Sequence, residues 1–155
     1  MTNLCSDVIR CLQGRSLVSA ESCTGGGIGA ALTSVPGSSS VFKGGIISYC
    51  DEMKHLFLDV DPDLLNTEGA VSAPVAEAMA QGARKRLQAD VAISVTGLAG
   101  PEGDSYGNPV GTVFIGYCDE TVCFSKHFVF DGDRETVRIC AIIEALKIVL
   151  AQNQS

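Results

Sequence analysis

Ser16-Leu17-Val18-Ser19-Ala20-Glu21-Ser22-Cys23-Thr24-Gly25-Gly26-Gly27-Ile28-Gly29-Ala30-Ala31-Leu32 is the stretch whose reading decides the fold. Ser16 to Ser22 reads as a short strand. The run from Thr24 to Leu32 carries too much glycine for an exposed helix, yet glycine is tolerated where a helix packs closely on a sheet or admits a ligand to its backbone. Pro36-Gly37-Ser38-Ser39-Ser40 ends it. A strand passing through a glycine-rich turn into a sheet-packed helix opens a β-α-β unit.

The flanking sequence repeats the alternation. Leu4, Val8 and Leu12 recur at helical spacing before a stop at Gly14, so a helix precedes the strand. Gly45 to Cys50 is a β-branched run with a glycine entry, and Asp51 is placed to cap a following helix. Ser72 to Leu87 is the clearest helix, with Ser72 as cap, Pro74 in the first turn and Arg84, Lys85 and Arg86 at the end that the dipole favours for cations. Asp90 to Thr96 is a further apolar strand. Thr112 to Tyr117 and Thr121 to Phe130 read as a hairpin across Asp119-Glu120, and Arg134 to Leu150 as a closing helix. Right-handed β-α-β units followed by an antiparallel pair predict an α/β fold, a three-layer α/β/α sandwich with a mixed, mainly parallel sheet. No linker or internal repeat interrupts the pattern, so residues 1–155 are read as a single domain.

Composition narrows the function classes. Of 155 residues 46% are hydrophobic and 19% charged, which predicts a folded core rather than disorder. Eleven Lys and Arg against eighteen Asp and Glu give a net charge of −7, which repels a phosphate backbone and argues against nucleic-acid binding. Apolar runs such as Ile142 to Ala151 fall short of the roughly 20 residues that span a bilayer. The start, Met1 to Asp7, lacks the basic head and apolar core of an export signal, so the expected location is cytoplasmic. An odd count of seven cysteines without an export signal predicts reduced thiols, and no ligand spacing suggests a metal site.

In open α/β sheets, ligands collect outside the carboxyl ends of the strands. Glu21-Ser22-Cys23-Thr24, Tyr49 and Thr96 each close a strand, at what would be the same edge. Ser22 precedes a helix start where amides of Thr24, Gly25 or Gly26 can stabilise an oxyanion. Its hydroxyl needs a base. His55 and His127 fall on a helix and inside a strand, whereas Lys54 lies in the first turn after the strand of Tyr49, and a desolvated lysine can act as a neutral amine. Cys23 is a rival nucleophile with no histidine to activate it. Arg134 and Arg138, one helical turn apart, are candidates for a phosphate.

These motifs agree with a family. Ala20-Glu21-Ser22-Cys23-Thr24-Gly25-Gly26, Gly44-Gly45 leading to Tyr49 and Lys54, Gly69-Ala70-Val71-Ser72, Thr96 to Pro101 with Pro109-Val110-Gly111, and Gly132-Asp133-Arg134 with Arg138 together resemble the CinA C-terminal domain family over nearly the whole chain. Characterised members are nicotinamide mononucleotide deamidases, so the resemblance implies an amidohydrolase of pyridine nucleotide salvage. It implies a Ser/Lys arrangement at Ser22 and Lys54 with Tyr49 as the matching tyrosine. Substrate contacts are then expected from Thr24, Gly25, Gly26, Thr96, Gly97, Arg134 and Arg138, with no cofactor and no metal. The expected partner is a small-molecule nucleotide rather than nucleic acid or membrane, and a homo-oligomer is compatible with the sequence. The chain departs from the family pattern at Cys50-Asp51, commonly Ser-Asn, and at Asn108, commonly Lys. Two other readings compete: a noncatalytic partner protein of the same fold, and a dinucleotide-binding module, because Gly25 to Ala30 fits G-x-G-x-x-A with Asp51 about 20 residues on.

Overall fold

The computed structural model describes residues 1–154. Its sheet runs in the order β2 (Phe42–Ile47), β1 (Leu17–Glu21), β3 (Val91–Gly97), β4 (Thr112–Cys118), β5 (Cys123–Val129). β1 is parallel to both β2 and β3, while β4 and β5 add antiparallel strands beyond β3. Every residue of β1 is buried, as a central parallel strand covered on both faces requires.

Two layers of helix supply the cover. α1 (Thr2–Cys11), α2 (Gly27–Thr33) and α6 (Arg134–Asn153) close a core around Leu17, Ile93, Ile115 and Leu146. On the other face α3 (Asp51–Leu58), α4 (Pro62–Glu68) and α5 (Ala73–Leu87) pack over Val18, Ala20 and Ala92. The expected α/β sandwich is therefore what the chain forms. Gly82 sets the α3–α5 approach, because a Cβ there would overlap the Leu58 carbonyl. That contact fixes the helix carrying Lys54.

Several details differ from the sequence reading. β2 begins and ends three residues earlier than Gly45 to Cys50; Ser48 still donates its N–H to Glu21 at 2.8 Å, after which the chain turns into α3. Cys50, not Asp51, is the N-cap, and Asp51 stands in the first turn. Ser72 has the extended N-cap backbone, but its hydroxyl donates to Gly69 O at 2.8 Å instead of capping. α4 is an element the sequence reading left unassigned; Asp61 caps it through Asp63 N–H, with Pro62 at the first position. The expectation that all thiols are reduced is also corrected. Antiparallel register sets Cys118 opposite Cys123 at the hairpin end, Cα atoms 4.1 Å apart, and the two form a disulfide. Among the described residues, no helix is long and apolar enough to cross a membrane.

Candidate active site

Glu21 organises the loop after β1. Its carboxylate is buried, and one oxygen accepts from Thr24 Oγ1 (2.8 Å) and Ile28 N–H (2.9 Å) while the other accepts from Ser19 Oγ (3.0 Å) and Gly29 N–H (3.1 Å). An internal carboxylate thus satisfies the first amides of α2, where an exposed helix start would attract a phosphate. The glycine-rich stretch consequently lacks the free helix amides that a dinucleotide pyrophosphate needs. Between Glu21 and α2 the turn requires positive φ at Gly25 (58°) and Gly26 (101°). Arg138 of α6 ties the turn down from outside, donating to Cys23 O at 3.0 Å and Thr24 O at 3.2 Å. Gly25 N–H is taken by Ser22 O at 3.0 Å, so it does not join an oxyanion site; the N–H groups of Cys23, Thr24 and Gly26 have no acceptor among the described residues.

Ser22 sits at the end of β1, 7% exposed, its N–H held by Val95 O at 3.0 Å. Lys54 comes to it from the first turn of α3. The lysine is 2% exposed, and its Nζ lies 3.1 Å from Ser22 Oγ and 3.0 Å from Ser48 O. No carboxylate pairs with it within ion-pair distance among the described residues. Burial pushes its pKa below the ordinary lysine value, and this outweighs the opposing pull of Asp51, Cys50 and Cys23. Asp51 therefore moderates the shift without cancelling it. A buried neutral amine has two N–H groups and one lone pair, so it can donate to Ser48 O and accept from the Ser22 hydroxyl. That arrangement is able to take a proton from Ser22.

A cleft of about 210 Å³ opens over Ser22, walled by Cys23, Tyr49, Glu102, Arg134 and the stretch Gly97 to Gly100. Arg134 donates to Gly100 O (2.6 Å) and to the Tyr49 hydroxyl (2.8 Å), bridging two walls. Tyr49 is 58% exposed, with its hydroxyl on the arginine rather than between Lys54 and Ser22. Gly97 brings β3 close to the loop, since a Cβ there would lie 3.2 Å from Cys23 Sγ. Burial raises the Cys23 thiol to about 11, which leaves little thiolate to compete with Ser22. The histidines are elsewhere: His55 contacts Val60 O and His127 stacks on Phe114.

Ser22, Lys54, Tyr49, Gly97 and Arg134 thus meet at one sheet edge. The side chains of Thr24 and Thr96 are committed internally, to Glu21 and to Ala70 O at 2.8 Å, and Arg138 lies under the loop. Asn108 is structural, bonded to Val71 O and Asp104. Sequence reasoning named Glu21 among the polar residues that close β1 but gave it no role, and it passed over Ser48 and Glu102. An acid closing an apolar strand just ahead of a glycine-rich helix start was the available signal for Glu21; nothing in the sequence distinguished the other two.

Residues 2–152 match the model of the CinA C-terminal domain. A "CinA-like protein" of Geobacter sp. (strain M21) is 48% identical over 133 residues, covering 86% of this chain and 32% of the relative. One of Parasynechococcus marenigrum is 48% identical over 149 residues, 93% of this chain and 35% of the relative. The chain therefore spans about a third of the length of the curated relatives it matches. Among solved structures, the competence damage-inducible protein A from Klebsiella pneumoniae superposes with a TM-score of 0.95 at 35% identity, covering 97% of this chain and 95% of that one. The competence/damage inducible protein from Agrobacterium tumefaciens gives 0.92 at 37% identity, covering 99% and 95%. With a family match along nearly its whole length and the same fold in solved relatives, the chain belongs to the CinA C-terminal domain family.

Proposed function

We propose that the chain is an amidohydrolase that deamidates nicotinamide mononucleotide to nicotinate mononucleotide and ammonia by a Ser/Lys mechanism. The observation that carries this reading is the buried, unpaired Lys54 amine 3.1 Å from Ser22 Oγ. Neutral Lys54 takes the Ser22 proton as Oγ attacks the carboxamide carbon, and the developing oxyanion is met by the amides of Cys23 and Thr24, which have no other acceptor among the described residues. The lysine returns that proton to the departing nitrogen, ammonia leaves, and the nicotinoyl group stays as an ester on Ser22. Water, activated by the same amine, hydrolyses the ester and restores the serine. Arg134 binds the nucleotide phosphate in this reading, which its position at the rim of the cleft and its bonds to neutral acceptors alone among the described residues support. The reaction needs no cofactor, and its role is pyridine nucleotide salvage in the cytoplasm.

The test is incubation of the protein with nicotinamide mononucleotide while ammonia and the acid product are quantified. Stoichiometric release of both is expected. A protein that binds the nucleotide or a partner chain but liberates no ammonia would instead fit a noncatalytic member of the fold.

A further inference from the structure

Ser48 stands between the end of β2 and Tyr49, completely buried, and its hydroxyl is the only buried side-chain oxygen or nitrogen without a partner among the described residues. The same residue's carbonyl accepts from Lys54 Nζ at 3.0 Å. A buried hydroxyl left unpaired carries its full desolvation cost. The count of lysine hydrogens supplies a use for it. In its neutral form the amine is satisfied by Ser48 O and Ser22 Oγ. Once the amine takes the serine proton it is an ammonium with three N–H groups and no lone pair. At that moment Ser22 Oγ is becoming an ester oxygen, a poorer acceptor, and the ammonium is short of partners in a buried site.

We propose that Ser48 is a positioning residue whose hydroxyl turns to accept an N–H of Lys54 when that amine becomes ammonium, stabilising the protonated base during the reaction. The inference rests on the Ser22/Lys54 reading of the site. The proton moves from Ser22 Oγ to Lys54 Nζ and back to the departing nitrogen; Ser48 gains and loses only a hydrogen bond. Other groups acting on the lysine are Asp51 and Cys50 at the start of α3 and Cys23 on the β1–α2 loop. His55, the neighbour of Lys54 on α3, faces Val60 O, and Arg86 of α5 reaches only the far end of α3, at Leu56 O and Phe57 O. None of these supplies the missing acceptor next to Nζ.

The role has a signature that a packing role lacks. Removing the hydroxyl should lower the maximal rate and also move the acid limb of the pH–rate profile to lower pH, because the ammonium form of Lys54 loses support. Ser48→Ala is expected to cut kcat about tenfold or more, as loss of one hydrogen bond to a charged group would, with little change in KM. Ser48→Thr, which keeps the oxygen, should restore both rate and limb, and Ser48→Cys, which keeps the volume with a weak acceptor, should behave like alanine if alanine fails to fold. Independently of any substrate, NMR titration of ¹³C-labelled Lys54 in wild type, Ser48→Cys and Ser48→Thr should give a lower pKa in the cysteine variant alone. An unmoved Lys54 titration in Ser48→Cys overturns the proposal, as does a threonine variant no better than cysteine. The titration stands even if nicotinamide mononucleotide is not the substrate, so the two readings fail separately: absent ammonia release removes the activity, an unmoved titration removes the role of Ser48.

Discussion

Ser22 and Lys54 make a demanding pair to alter, because each is useful only in one chemical form. With Ser22 as the proposed nucleophile, Ser22→Ala leaves its backbone bond to Val95 in place, and turnover should fall by roughly 10³-fold or more while the thermal transition stays near wild type. Activity of Cys23→Ala should persist, since its buried thiol is pushed up to about 11. As the proposed base Lys54 must be neutral, so the rate should rise with pH through an apparent pKa below the usual lysine range of about 10.4. Lys54→Arg keeps a cation that cannot release its proton, and should be nearly as inactive as Lys54→Ala in an ammonia-release assay. Asp51 raises the lysine pKa, so Asp51→Asn should move the acid limb to lower pH; an unmoved limb would show that the carboxylate is screened from the amine. At this scale much of the site was legible: serine, lysine, tyrosine and arginine at strand ends are conspicuous residue types. Glu21 and Ser48 were not, because their importance lies in which backbone groups they face, and that depends on how the loop closes.

Between elements, the site is held by two bridging side chains, Glu21 and Arg134. Glu21 joins β1 to α2 with four accepted hydrogen bonds. Glu21→Gln offers an amide group where backbone N–H groups already point, so at least one donor is left without an acceptor. The variant should lose about 1–3 kcal/mol in urea unfolding and lose activity with it. Arg134 joins α6 to the Gly97–Gly100 stretch and to Tyr49. Arg134→Ala should raise KM for the nucleotide and abolish its preference over the dephosphorylated riboside; equal loss on both substrates would assign the arginine to the walls of the cleft rather than to phosphate. Element type was readable from period and caps, as α5 and the β4–β5 hairpin illustrate. Boundaries and pairings were less so. β2 shifted because Phe42-Lys43-Gly44 has a weak strand signal and becomes a strand through parallel register with β1, and α4 is too short to declare a hydrophobic stripe. The Cys118–Cys123 bridge follows from hairpin register, which cysteine spacing alone does not give.

For the whole molecule, burying Lys54 sets function against stability. An unfolded chain leaves this lysine at its ordinary pKa, and the folded state depresses it by burial. Between the lowered folded value and about 10.4 the unfolded state binds more protons than the native one, so the Lys54 contribution to stability increases as pH rises through that window. Below the folded value both states are protonated and the cost of the buried cation is fully present. Lys54→Met keeps the length of the side chain and removes the charge from a buried position. It should therefore abolish ammonia release yet raise the midpoint of thermal unfolding at neutral pH, by about 2–4 °C for each kcal/mol recovered. The gain should shrink as pH rises through that window and vanish above about 10.4, where the wild-type amine is neutral in both states. Calorimetry of the two proteins at neutral and alkaline pH reads this directly. A methionine variant less stable than wild type at neutral pH would mean that the bonds from Nζ to Ser22 and Ser48 outweigh desolvation, and the lysine would then be a structural cation rather than a strained base.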